Sequence, residues 1–261
     1  MNLDLSQKTA LVCGSTQGIG LAAAQAIASL GANVVLIARN KEKLEQVIDS
    51  LDTSCGQKHE YLVADFAHTQ EVEKVIQEFA TSNVVHILVN NTGGPAPGPA
   101  IESDIEAFRI AFNAHLINNQ ILAKALVPGM KKAGYGRIIN VISTSVKQPL
   151  PNLGVSNTIR GAVASWAKTL AYELGKFNIT VNNVLPGATE TGRLEQIMKN
   201  KADKSGTSPA DVKHEMSEEV PMKRLAQPEE IANAIAFLAS PAASYINGIN
   251  LPVDGGRTGS L

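Results

Sequence analysis

Three glycines near the N-terminus have the spacing of a phosphate-binding turn. Gly14, Gly18 and Gly20 follow an apolar run at 9–12 and precede an alanine-rich stretch at 21–30. A strand, a glycine turn and a helix aim free backbone N–H groups and the positive helix end at a pyrophosphate, and glycine lets the backbone approach it without a Cβ. The spacing GxxxGxG differs from the GxGxxG of long-chain dehydrogenases. The segment therefore predicts a nucleotide site, with an ordinary turn as the alternative.

A basic residue follows the second apolar run, where a dinucleotide's ribose would be recognised. Residues 33–38 read N-V-V-L-I-A, which is typical of a buried parallel strand, and Arg39 comes next. An acid there would hold the ribose 2′-OH of NAD, whereas a guanidinium suits the 2′-phosphate of NADP. Arg39 favours NADP over NAD. The alternative is a solvated arginine at the start of a helix over 41–50.

Further apolar runs end in polar residues or glycine, and parallel sheets bind ligands at such ends. Asp65 and Phe66 end the run at 61–64, where an acid can accept a hydrogen bond from an adenine amino group or merely cap the next helix. The runs at 84–89, 137–141, 180–185 and 249–253 end in Asn90-Asn91, Ile142-Ser143, Pro186-Gly187 and Asp254-Gly255-Gly256.

The segments that carry these residues are read as seven strands that alternate with helices. Such an order predicts an α/β fold, a doubly wound parallel sheet with helices on both faces. The capping-box spacing of Ser103 and Glu106 predicts a helix that starts there and runs to about Pro128, and 153–174 reads as another helix. The polar segment 190–220 is interpreted as a mobile, lid-like excursion rather than a second domain, so that the 261 residues form one domain.

Composition excludes several classes of protein. The net charge of −1 gives no argument for nucleic acid or for an anionic membrane surface. Two cysteines, Cys13 and Cys55, make neither a disulfide framework nor a zinc pattern, and nothing indicates any other metal. The sequence shows no apolar signal core or membrane-spanning run, so the cytoplasm is the expected location.

Taken together, the segments resemble the short-chain dehydrogenase/reductase family over nearly the whole chain, and its 3-oxoacyl-carrier-protein-reductase-like members most. The residues that carry the resemblance are Gly14, Gly18, Ile19 and Gly20; Asp65; Asn90-Asn91 with Gly93; Pro186-Gly187 with Thr191; and Asp254-Gly255-Gly256. The resemblance implies a single-domain Rossmann fold, a bound NAD(P) and usually a homotetramer, assembled through the long helices and the C-terminal strand. It would place Ser15, Gln17 and Ile19 around the phosphates and nicotinamide, Asn91 and Gly93 along the ribose, and Ile142, Pro186, Gly187 and Thr191 beside the nicotinamide.

The sequence departs from the family at its catalytic residues. The family's chemistry rests on a Tyr that donates a proton, a Lys that lowers the pKa of that Tyr and binds the ribose, a Ser that steadies the carbonyl, and an Asn that holds a helix in shape. Aligned on Gly136 to Asn140, the Ser is Ser143, the Tyr position holds Ser156 and the Lys position holds Arg160. An aliphatic hydroxyl and a permanently protonated guanidinium cannot replace a phenol with a pKa near ~10, although Arg160 can still bind ribose hydroxyls or a phosphate.

The family's Asn position falls on His115, with Asn113 as a fallback. An imidazole has a pKa near ~6.5 and is suited to general acid work, although a lone histidine on a helix is more often structural. Two functions therefore compete: an NADP-linked oxidoreductase that acts on a ketone or secondary alcohol with an altered acid, and an NADP(H)-binding or scaffold protein without redox activity. A methyltransferase on a similar sheet gives no role to Pro186-Gly187 or Asp254-Gly255-Gly256.

Overall fold

The computed structural model describes residues 1–260; for Lys204 it describes the backbone alone. Its strands are Thr9–Cys13 (β1), Asn33–Ala38 (β2), Glu60–Val63 (β3), Ile87–Asn90 (β4), Gly136–Val141 (β5), Ile179–Pro186 (β6) and Asn250–Val253 (β7). Its α-helices are Gly18–Ser29 (α1), Lys41–Ile48 (α2), Thr69–Ala80 (α3), Ile105–Phe112 (α4), Asn118–Ala133 (α5), Gly154–Leu174 (α6), Gly192–Ser205 (α7), Pro209–Glu218 (α8) and Pro228–Ala239 (α9).

The strands form one parallel sheet in the order β3-β2-β1-β4-β5-β6-β7. Alternate side chains of each central strand enter different cores, as a period of two requires: Val12 of β1 packs with α1, α2 and α9, whereas Leu11 packs with α3, α5 and α6. The predicted doubly wound parallel sheet with helices on both faces is confirmed. The strand order reverses between β1 and β4, which is where open α/β sheets bind their ligands.

Four asparagines cross the sheet in register and fix four strands against one another. The side-chain amide of Asn90 donates to Oδ1 of Asn140 (2.8 Å), that of Asn140 to Oδ1 of Asn183 (2.9 Å), and that of Asn183 to Oδ1 of Asn250 (2.8 Å). The first three side chains are buried, and Asn250 is exposed at the sheet edge. Since each bond joins partners in the strand register, a slip of one residue would leave buried amides unpaired.

The helix after the fourth strand differs from its prediction. Asp104 rather than Ser103 caps α4, because Oδ1 of Asp104 accepts the Glu106 N–H while the Ser103 hydroxyl donates to the Pro99 carbonyl. The helix continues past Pro128 to Ala133, and a π-helical turn at Asn113–Ile117 joins α4 to α5. A π turn inserts one residue into the helical ladder and is frequent at functional sites.

The polar segment 190–220 consists of α7 and α8 with a small core of their own. Leu194, Met198 and Ala202 of α7 pack against Val212 of α8 and Leu225. Ion pairs join Lys213 to Glu190 and Lys201 to Glu215, both at 2.9 Å. The segment is therefore helical rather than irregular, and α7 begins directly beside the carboxyl ends of the strands.

Candidate active site

A cavity of about 640 Å³ opens at the carboxyl ends of the strands. Its walls come from the loops that follow β1 to β6, from one face of α6 and from the first turns of α7. It therefore lies at the strand-order reversal between β1 and β4, with the glycine turn at its floor.

The three glycines form a tight turn, the glycine cradle, that has no room for side chains. Gly14 and Gly18 have φ values of +58° and +55°, in the left-handed region that favours glycine. A Cβ on Gly20 would lie 2.2 Å from the Gly14 carbonyl oxygen, and a Cβ on Gly14 would lie 2.6 Å from the Asn91 carbonyl oxygen. Both contacts are too short for real atoms, so each position requires glycine and the turn packs tightly against the loop after β4.

The N-terminus of α1 faces the cavity without a side-chain cap. Its N-cap residue, Gln17, is extended and makes no capping hydrogen bond, and its first turn has no acidic residue. Gly18 and Ile19 of that turn line the cavity. The first N–H groups of a helix lack partners within the helix and carry partial positive charge, so this end suits an anion.

Asn91 ties the glycine turn to the end of β4. Its side-chain amide donates to the carbonyl oxygens of Cys13 (3.2 Å) and Gly14 (3.4 Å), which joins the loops on either side of the strand-order reversal. Cys13 is fully buried, and burial raises the pKa of its thiol to about 12. The thiol is therefore a small packing group rather than a nucleophile.

One end of the cavity is formed by Arg39 after β2 and by Asp65 after β3. Arg39 is exposed, and it makes no ion pair with any described residue. The next residue, Asn40, caps α2 by accepting the Lys43 N–H. Oδ1 of Asp65 accepts the Ala67 N–H at 2.9 Å. The guanidinium of Arg39 thus stays available to a ligand.

The other end of the cavity holds Ser143 after β5 together with Ser156 and Arg160 on α6. Oγ of Ser143 accepts the Ser145 N–H at 3.1 Å, which leaves the hydroxyl hydrogen free to donate. Arg160 is buried, and its Nη1 donates to the Val141 carbonyl oxygen at 3.1 Å. Burial lowers the pKa of Arg160 to about 10, so it remains a cation at neutral pH.

His115 lies in the π-helical turn and does not line the cavity. Its Nδ1 is 2.5 Å from Oγ1 of Thr92, which does line the cavity. Burial first, and repulsion from Arg160 second, lower the pKa of His115 to about 3. A neutral imidazole that is already paired and set behind Thr92 is poorly suited to the general acid role for which the sequence made it a candidate.

The structure brings most of the predicted site residues to one cavity and leaves three outside it. Ser15, Gly20 and His115 do not line it: Ser15 is fully buried with an unpaired hydroxyl oxygen, and Gly20 packs on Gly14. The predicted residues that do line it are Gly14, Gln17, Gly18, Ile19, Arg39, Asp65, Phe66, Asn91, Gly93, Ile142, Ser143, Ser156, Arg160, Pro186, Gly187 and Thr191.

Sequence reasoning missed several polar residues of the cavity. Thr16, Thr92, Thr189 and Arg193 all line it, and Arg193 also donates to the carbonyl oxygens of Gly94 (3.3 Å) and Pro95 (2.9 Å). Thr16 and Thr92 stand within the turn and loop that the sequence identified, so proximity was an available signal. For Arg193 there was none, because the fold of its segment was not predicted.

Within residues 1–260, no tyrosine supplies a phenol to the cavity. None of the four tyrosines lines the cavity. The hydroxyl of Tyr61 donates to Glu45, that of buried Tyr135 donates to the Ala239 carbonyl oxygen, and Tyr172 and Tyr245 lie on the surface. Among the residues that the structure describes, no lysine, histidine or cysteine lines the cavity either.

Two further findings concern only the described part of the chain. No three of its His, Cys, Asp or Glu side chains form a group that could hold a metal ion. None of its helices combines the length and apolar character needed to cross a membrane.

Comparisons with known proteins match the whole chain. A family model described as enoyl-(acyl carrier protein) reductase matches residues 14–258. The 7alpha-hydroxysteroid dehydrogenase of Escherichia coli (strain K12) is 32% identical, over 100% of this chain and 98% of its own. Dehydrogenase/reductase SDR family member 4 of Sus scrofa is 32% identical, over 98% of this chain and 89% of its own. The crystal structure of L-sorbose reductase from Gluconobacter frateurii, complexed with NADPH and L-sorbose, is 34% identical, covers both chains completely and superposes with a TM-score of 0.93.

Proposed function

We propose that this chain, which belongs to the short-chain dehydrogenase/reductase family, is an NADP-dependent oxidoreductase that interconverts a ketone and a secondary alcohol. The observation that carries the proposal is the cavity itself. Its glycine cradle and uncapped α1 terminus suit a pyrophosphate, Arg39 stands at one end of it, and hydroxyls and a cation stand at the other. The crystal structure of the similar L-sorbose reductase is of its complex with NADPH and L-sorbose.

The residues present fit a dinucleotide. Gly14, Gly18 and Gly20 let the turn pack closely against its neighbours, and the first N–H groups of α1 that follow it would bind the pyrophosphate. Arg39 would bind the 2′-phosphate of NADP, and Asp65 would accept from the adenine amino group. We assign the ribose to Asn91 and Gly93, and the walls of the nicotinamide end to Ile142, Pro186, Gly187 and Thr191. When bound, NADPH supplies a hydride to a carbonyl carbon.

The chain's own contribution to the reduction is polarisation of the carbonyl oxygen. The hydroxyl hydrogen of Ser143 is free to donate because Oγ already accepts the Ser145 N–H, and Ser156 offers a second hydroxyl. Because the described lining has no tyrosine, lysine, histidine or cysteine, the proton that completes the alcohol comes from solvent by way of these hydroxyls. This route is slower than a tyrosine with a lowered pKa, because a serine hydroxyl is a far weaker acid.

Titration with NADPH and NADH tests the cofactor assignment. Arg39→Met should weaken NADPH binding by roughly tenfold, which corresponds to one solvent-accessible charge-assisted bond, and should leave NADH binding unchanged. Arg109→Met is the matched control, because it removes the same charge from an exposed helical position. Equal losses for NADPH and NADH, or no binding of either, would refute the assignment of the 2′-phosphate to Arg39.

A second candidate function is NADP(H) binding without redox activity. The observation that favours it is the lack of a tyrosine and a lysine at the cavity. NADPH oxidation with a panel of ketones, including 3-oxoacyl thioesters, separates the two functions. Turnover proportional to the amount of cofactor-loaded protein supports the oxidoreductase, whereas tight NADPH binding with no turnover supports the binding protein.

We also propose that the chain forms a homotetramer. Several apolar residues at and just before α4 are exposed. Their exposed fractions are 94% for Ile101, 65% for Ile105, 56% for Ile110 and 39% for Phe112. Packing of such a cluster against a second copy would remove it from water. Light scattering at micromolar concentration tests this proposal, and a monomeric mass would refute it.

A further inference from the structure

We propose that Arg160 binds a carboxylate of the substrate, so that the ketone or alcohol is an oxo acid or hydroxy acid. This inference rests on the proposed function and names its substrate class. It is carried by the surroundings of Arg160, by the other charges around the cavity and by the position of the two serine hydroxyls.

Arg160 is a buried cation with few partners. Only 8% of it is exposed, and no described Asp or Glu lies within ion-pair distance. A guanidinium has five N–H donors, and the Val141 carbonyl oxygen is the one acceptor recorded among the described residues. Burying a charge without a counter-charge is costly. Because Arg160 lines the cavity, a ligand in the cavity can supply the missing acceptors.

The cofactor does not meet this need, because its phosphates are assigned elsewhere and the ribose hydroxyls that Arg160 could also bind carry no charge to balance the guanidinium. Arg39, which follows β2, is assigned to the 2′-phosphate, and the α1 terminus to the pyrophosphate. Arg160 lies beside β5, three strand spacings from β2 in the sheet order, and three spacings of ~4.8 Å amount to about 14 Å. The other two charged side chains of the cavity are Arg193, which donates to the Gly94 and Pro95 carbonyl oxygens, and Asp65, which follows β3.

The serine hydroxyls set the distance between the anion and the reacting carbonyl. Ser156 and Arg160 are one helical turn apart on α6 and both line the cavity, so their Cβ atoms are about 6 Å apart. A carbonyl oxygen at Ser143 and Ser156 therefore leaves room for a carboxylate at Arg160 within the same small molecule. The planar fork of a guanidinium binds both oxygens of a carboxylate, which makes 2-oxo and 3-oxo acids the expected class.

Calorimetric titration of the full chain with matched acids and esters tests this inference. The probes are pyruvate, acetoacetate and phenylpyruvate, each compared with its methyl ester and with inorganic phosphate. At least one acid should bind tenfold or more tightly than its ester. Arg160→Met should abolish this preference, Arg160→Lys should retain only part of it, and Arg109→Met should leave it intact. Thermal unfolding of each variant shows that it is folded.

Several outcomes would overturn the assignment: esters that bind as tightly as acids, inorganic phosphate that binds more tightly than every acid, or an Arg160→Met variant that is folded and keeps the preference. Loss of NADPH binding alone in Arg160→Met would identify the residue as a cofactor ligand and would also overturn it. NADPH titration of the same preparations separates the two proposals. Binding of NADPH without acid preference refutes only the carboxylate site, and acid preference without NADPH binding refutes only the oxidoreductase.

Discussion

A row of four hydrogen-bonded asparagines, Asn90, Asn140, Asn183 and Asn250, crosses β4 to β7. We predict that a mutation in this row lowers the free energy of unfolding by an amount that depends on its position. Asn140→Leu replaces a fully buried amide by an apolar group of similar shape, so little cavity is created. It leaves two groups without partners, the amide hydrogens of Asn90 and Oδ1 of Asn183. A buried polar group that loses its partner costs about 1–3 kcal/mol. The free energy of unfolding should therefore fall by roughly 2–6 kcal/mol, a large part of the ~5–15 kcal/mol of a typical domain.

Asn250→Ala at the exposed end of the row is the matched control. It also removes one bond from the row, but Asn250 is exposed, so water can take the place of its Oδ1 as acceptor for the Asn183 amide and the loss should stay below about 1 kcal/mol. Urea unfolding at one fixed protein concentration measures both variants. If Asn140→Leu costs no more than Asn250→Ala, the row does not stabilise the strand register and this reasoning is wrong.

Three further predictions concern the cavity and its surroundings. Gly20→Ala should weaken NADPH binding at least tenfold and lower the free energy of unfolding by about 1–3 kcal/mol, because its Cβ would lie 2.2 Å from the Gly14 carbonyl oxygen. The control Gly161→Ala, which has no atom within 4 Å of its Cβ, should keep both NADPH binding and stability. His115 has its pKa lowered to about 3, so between that value and ~6.5 only the unfolded state binds its proton, and the free energy of unfolding should fall by about 2 kcal/mol from pH 6.5 to 4.5. His115→Asn should flatten that fall in urea unfolding, and an unchanged slope would contradict it. If α7 is the predicted lid, NADPH should slow hydrogen exchange of its amides, and equal protection with and without NADPH would show that it is not.

The sequence could predict the parts of the fold that follow from local patterns. The segments 33–38 and 137–141 are rich in β-branched and apolar residues, so their strand character shows without any partner, and the structure has buried strands at Asn33–Ala38 and Gly136–Val141. The glycine turn was predictable from local sequence too, since the left-handed conformations of Gly14 and Gly18 and the close backbone contact at Gly20 exclude other residues.

Other features depend on contacts between distant segments. The polar sequence of α7 and α8 conceals a small core that needs Leu225 from beyond both helices. The cap of α4 shifted to Asp104 because the Ser103 hydroxyl bonds instead to the Pro99 carbonyl oxygen. His115 was a candidate acid on the basis of its ordinary pKa, and only the packing that buries it against Thr92 and near Arg160 changes that value.

The charge of Arg160 links the substrate proposal to the state of His115. Repulsion from Arg160 is the second cause of the lowered pKa of His115, after burial. A carboxylate on Arg160 would offset that repulsion but would leave the burial in place, so the imidazole would stay neutral at pH 7 even in the complex. His115 can then keep its contact with Thr92 at the cavity wall, whereas a protonated imidazole would place a second cation beside Arg160. The buried cation of Arg160 and the neutral state of His115 are therefore compatible with the proposed site, which would recognise an anion and draw its proton from solvent.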